Sequence, residues 1–110
     1  MADLEEELGK KVCTLPGYES AWVRFKTRGY PFKLRQEWRD TDDRGALDII
    51  LRYVMDGNIP NGNGAPVPLD TVTPRTSELF DNVEESLVVW LINAFVRFWR
   101  VELPSAPKNS

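Results

Sequence analysis

The chain of 110 residues has no histidine and a single cysteine, Cys13. Without imidazole there is no Ser-His-Asp or Cys-His catalytic arrangement and no histidine ligand for a metal. One thiol excludes an intrachain disulfide and fits a reducing compartment. Long hydrophobic runs are missing too. The unbroken apolar run at 87–92 is followed by Asn93, Arg97 and Arg100. A membrane span needs about 20 predominantly apolar residues, and each central arginine costs roughly 2.5–3.5 kcal/mol on insertion, so no span is expected. An interfacial amphipathic helix would need a broader cationic face than Arg97 and Arg100 supply. The opening MADLEEELGKK is acidic and has no apolar stretch, so it does not read as a signal peptide. The net charge of −3 gives no field that favours nucleic acid or an anionic membrane.

What is present is an ordinary one-domain composition, 42% hydrophobic and 28% charged, with four tryptophans. The dominant stretch is 83–101. Wound at 3.6 residues per turn, Val83, Leu87, Trp90, Leu91, Ala94, Phe95 and Phe98 share one face, and Val88, Val89, Ile92, Val96 and Trp99 flank it. A helix so apolar has to be covered by a core or by another subunit. Asn82 or Asp81 is expected to cap it, with Glu85 or Glu84 completing a capping box.

Earlier elements are shorter. Residues 1–11 read as frayed or as a brief helix. Residues 20–28 alternate in the manner of a strand with Val23 and Phe25 on one face. Pro31 suits the first turn of a helix carrying Leu34 and Trp38. A second helix follows over 45–55, capped by Asp42 or Asp43, with Ala46, Leu47, Ile50, Leu51 and Val54 buried. Residues 56–76 hold four prolines and three glycines and read as one long Pro/Gly/Asn loop that Val67, Leu69 and Val72 would pin to the core. The expected fold is mainly α (α+β): about three helices, the last one long, with one or two short N-terminal strands. A flexible acidic segment at 1–19, a compact domain at 20–103 and a disordered tail at 104–110 complete the division.

No constellation reads as an active site. Asp40, Asp42, Asp43 and Asp48 are hard oxygen donors, but helix capping accounts for them. Asp56-Gly57-Asn58 lacks the later ligands of a calcium loop, and Asn61-Gly62-Asn63-Gly64 is not followed by the lysine of a phosphate loop. Cys13 stands near Lys10 and Lys11 without a base. No enzyme, metal or cofactor is expected. The segment 22–39 interleaves Trp22, Phe25, Tyr30, Phe32 and Trp38 with cations, so Trp22, Arg24, Lys26, Lys33 and Arg35 could contact a single-stranded nucleic acid. The acidic balance opposes that alternative. Tryptophan and arginine are also the residues of interface hot spots.

The run ALDIILRYVMDGNIPNGNGAPVPLDTVTPRTSELFDNVEESLVVWLINAF resembles small tail assembly chaperones and related tail-region proteins of long-tailed bacteriophages. The matching pieces are an apolar helix at 47–55, an Asp/Gly/Asn turn at 56–58, a Gly-to-Pro step at 64–68, a Thr-rich segment at 71–76 and the closing helix at 83–98. The strand at 22–27 followed by Pro31-Phe32-Lys33-Leu34-Arg35 is similar to such proteins as well. The resemblance implies a non-enzymatic, chaperone-like protein of the host bacterium's cytoplasm. It would form a homo-oligomer and bind a helical partner such as a tape-measure protein. Trp90, Phe95, Phe98 and Trp99 would then be core or contact anchors, with Arg97 and Arg100 at the rim.

Overall fold

The computed structural model describes residues 8–69 and 74–104. Its centre is strand β2, Trp22–Phe25, in which half-buried Trp22 and Arg24 alternate with buried Val23 and Phe25. That period of two puts one face on the core and leaves the other towards solvent. Strand β1, Lys10–Val12, and strand β3, Val54–Asn58, pair with β2 on either side, both antiparallel. Among the described residues three α-helices accompany the sheet: α1 Leu34–Arg39, α2 Asp43–Tyr53 and α3 Glu85–Arg97. A 3-10 turn at Ser77–Phe80 precedes α3, and a π-turn at Phe98–Glu102 continues it. The fold is mixed α+β with a C-terminal helix.

Strand β2, helix α2 and the closing helix lie where periodicity places them. Helix α2 starts as expected from Asp42, whose carboxylate accepts the Gly45 N–H at 2.9 Å. Three other expectations are overturned. Residues 10–12 form a strand, because Lys10, Lys11 and Val12 register against Arg24, Val23 and Trp22. The domain therefore takes in part of the 1–19 segment, with Cys13 inside the core; residues 1–7 and 105–110 lie outside the described residues.

Residues 54–58 are a strand, not the end of a helix and the start of a loop. Asp, Gly and Asn have little β propensity, so pairing decides here. Arg24 Nη1 reaches both carboxylate oxygens of Asp56 at 3.0 and 2.9 Å. A Cβ on Gly57 would come within 2.8 Å of the Trp22 carbonyl oxygen, so the close strand approach requires glycine. Beyond it Ile59 and Val67 are buried and joined by a Val67 N–H bond to the Ile59 carbonyl at 2.8 Å. The first part of the long loop is thus a hairpin-like flap on the core, with Leu69 half-buried; Val72 lies outside the described residues.

The start of α3 also differs from expectation. Its N-cap is Glu84, without a side-chain cap bond. Residues 81–83 continue the preceding 3-10 turn, Val83 N–H bonding to the Phe80 carbonyl at 3.1 Å, so the helix begins later and the capping box does not form. Asp81 instead pairs with Arg44 at 2.9 Å.

The core is built on aromatic rings. Phe95 has the rings of Phe25 at 5.4 Å, Trp38 at 5.4 Å, Trp99 at 5.8 Å, Tyr53 at 6.1 Å and Tyr30 at 6.2 Å. Tyr30 stacks on Tyr53 at 4.5 Å, and its hydroxyl donates to the Lys26 carbonyl at 2.9 Å. Burial, and then the neighbouring Tyr53 phenol, push the Tyr30 hydroxyl well above the ordinary tyrosine range. A phenol harder to ionise folded than unfolded stabilises fully below its unfolded value near 10 and loses that contribution as pH rises through the folded value. The urea midpoint is expected to fall above about pH 10, and less steeply in Tyr30→Phe. An equal alkaline fall in both proteins would remove Tyr30 from the explanation.

Candidate interaction surface on the C-terminal helix

Helix α3 buries Leu87, Leu91 and Phe95, and its π-turn buries Phe98 and Trp99. An α-helix advances 100° per residue and a π-turn less. The wider turn lets Phe98 and Trp99 both face inward, where Phe98 stacks on Phe25 at 5.6 Å. Of the contact anchors expected from sequence, Phe95, Phe98 and Trp99 are therefore core residues within one chain, and Trp90 is half-buried against that core. Arg97 and Arg100 are exposed, Arg100 lying 5.3 Å over the Trp99 ring.

Part of the flanking set meets solvent. Val89 keeps 48% of its surface exposed, and Ile92 and Val96 are half-buried. Their spacing of three and four residues repeats the seam of a helix pair, and all three are β-branched. Glu85 and Ser86 lie at one end of this strip, Asn93 beside its middle and Arg97 and Arg100 at the other end, all exposed. Lys11 pairs with Glu102, and Arg97 Nε stands 3.7 Å from the same carboxylate, so β1 is tied to the end of the π-turn. At the opposite end Glu84 accepts from the Tyr18 hydroxyl and from Ser86 Oγ. The Ser86 and Tyr18 donors hold the Glu84 carboxyl below its ordinary range, and that carboxylate raises Tyr18. The strip is therefore displayed on a helix anchored at both ends.

The residues of the nucleic-acid alternative divide into two groups. Trp22 and Arg24 lie on the outer face of the sheet, where the Trp22 ring has Lys10 at 4.7 Å and Arg24 at 5.2 Å. Asp56 already holds Arg24 in a bidentate pair, which offsets its charge. Lys33 is the residue before α1, and Arg35 stacks 5.6 Å over Phe32, which is 83% exposed. Lys26 is exposed just beyond β2, its backbone N–H bonded to the Tyr53 carbonyl at 2.7 Å.

An open cleft of about 700 Å³ is lined by Arg44, Asp48, Arg52, Arg75, Ser77 and Asp81, among others. Several of its polar groups are already engaged. Asp48 accepts the Ser77 N–H at 2.7 Å, Arg44 pairs with Asp81 at 2.9 Å, and Arg52 pairs with Glu37. Arg52 holds the Glu37 carboxyl below its ordinary range. Asp48 thus fixes the 3-10 turn, apart from the capping role of Asp42. Among the described residues no three carboxylate or thiol groups converge as metal ligands, and no helix is long and apolar enough to cross a membrane.

The residue that sequence reasoning missed is Arg75. Its guanidinium donates to the carbonyls of Val54 at 2.6 Å and Leu69 at 2.7 Å, with Leu51 at 3.4 Å and Met55 at 3.5 Å. No local pattern announces this role, because backbone carbonyls leave no signature in sequence. No family model matches the chain, and no curated protein or solved structure matches it.

Proposed function

We propose that the protein is a non-enzymatic assembly factor that holds a helical partner along α3, as the resemblance to phage tail assembly chaperones implies. The partner would be a long amphipathic helix of tape-measure type, kept from aggregating in the cytoplasm of an infected bacterium. The observation that supports this reading best is the heptad-spaced strip of Val89, Ile92 and Val96, part-exposed on a helix whose other face packs on the core. A groove or seam of this kind accepts the apolar face of another helix, whose residues at i, i+3 and i+7 supply the opposing contacts. In the cleft, Arg44 and Arg52 are already paired with Asp81 and Glu37.

The test uses an amphipathic helical peptide with an apolar i, i+3, i+7 stripe, titrated by fluorescence anisotropy. Binding is expected with a dissociation constant in the micromolar range. Val89→Glu places a charge on the strip and should weaken binding about tenfold, the effect of roughly 1.4 kcal/mol, while the unfolding midpoint stays near that of the parent. Failure to bind at high micromolar peptide sinks the reading. The runner-up, a small nucleic-acid-binding protein, draws on the Lys10–Trp22–Arg24 arrangement. It requires affinity for single-stranded DNA that falls steeply with salt.

A further inference from the structure

We infer that the occupant of the α3 strip, in the absence of a client, is a second copy of the same helix running antiparallel. The inference rests on the reading of α3 as the contact surface and adds the identity and orientation of the occupant. Charge and spacing along the strip select this occupant. Glu85 stands on the strip at its N-terminal end and Arg100 at its C-terminal end, both exposed, with Val89, Ile92 and Val96 between them. A two-fold axis passing between Ile92 and Asn93 sets Val89 against the second copy's Val96. The same axis sets Glu85 against the second copy's Arg100, at both ends of the contact. A strip complementary to its own reverse is what an isologous dimer requires. A parallel pair would instead set glutamate against glutamate and arginine against arginine.

The macrodipole favours the same orientation, because antiparallel helices place opposite partial charges side by side. Asn93, near the axis, faces Ile92 of the other copy. Size sets the strength. The helix with its π-turn is ~27 Å long and ~10 Å wide, which gives a contact smaller than the roughly 1,200 Å² of a standard interface. The dimer is therefore a weak one that a client helix can displace.

The experiment is sedimentation equilibrium on the full chain from low to high micromolar concentration. Four proteins are compared: the parent, Glu85→Arg, Arg100→Glu and the double variant Glu85→Arg/Arg100→Glu. A reversible monomer–dimer equilibrium is expected for the parent. Each single reversal should weaken it at least tenfold, and the double variant should restore it. Both substitution sites, Glu85 and Arg100, are exposed, and circular dichroism is used to check that each protein is folded. A parent that stays monomeric overturns the inference. So does a dimer indifferent to the single reversals, or one that the double variant fails to restore. The peptide titration separates this outcome from the functional reading. A monomer that binds the peptide removes only the self-pairing, whereas a charge-sensitive dimer that ignores the peptide removes only the client.

Discussion

Phe95→Ala is expected to lower the urea midpoint by about 2–3 M, the largest effect of any single substitution in the chain. Phe95 is fully buried and has five aromatic rings around it, contributed by β2, α2, α1 with its preceding turn, and the π-turn. Truncating it removes the transfer free energy of the ring and leaves a cavity that rigid aromatic neighbours cannot close. Phenylalanine-to-alanine changes in cores cost about 3–5 kcal/mol, and edge-to-face pairs such as Phe95 with Phe25 add to the loss. A domain has only about 5–15 kcal/mol to lose. Phe95→Leu keeps more of the volume and should cost less than half as much. A midpoint that moves by less than about 0.5 M would show that the aromatic cluster is not the centre of stability.

Arg75→Ala is expected to cost about 2–3 kcal/mol and to expose the flap at 59–69 to protease before the rest of the chain. The guanidinium spans the last carbonyls of α2, the start of β3 and the Leu69 carbonyl. Hydrogen bonds to a charged group contribute about 1.5–3 kcal/mol each when well formed, and partial exposure reduces the total. The cation also sits at the negative end of the α2 dipole. Arg75→Lys retains charge but not the fork, and should recover only a minor part of the loss. Because the acceptors are carbonyls, the effect should change little with salt. Arg44–Asp81 and Arg52–Glu37 are surface pairs with about half of each side chain exposed. They should contribute no more than about 1 kcal/mol each and fade with salt. Equal salt sensitivity for Arg75 would rule out the carbonyl clamp as the cause.

The same contrast separates what was legible from what was not. Strand β2 and helices α2 and α3 carry strong periodicity, and each lies within a few residues of its expected span. Strand β3 carries none. Val54, Met55, Asp56, Gly57 and Asn58 read as a helix end and a turn, and become a strand through pairing with Trp22 to Phe25 far earlier in the chain. The β1 strand is equally silent, being short and cationic, and depends on the same partner. Local propensity is a weak prior where a long-range ladder supplies the hydrogen bonds.

The sequence by itself determined that this chain has no histidine chemistry and carries a helix too apolar to stand alone. It also separated the two apolar sets of that helix, one containing Phe95 and the other Val89, Ile92 and Val96. Which set faces inward is a property of the tertiary structure. The sheet's inner face and α2 offer a bounded volume, and the larger rings of Phe95, Phe98 and Trp99 fill it first because burial scales with apolar area. The π-turn rotates Trp99 out of the flanking set and into that core. The smaller side chains remain outside, and their exposure makes the second set a surface.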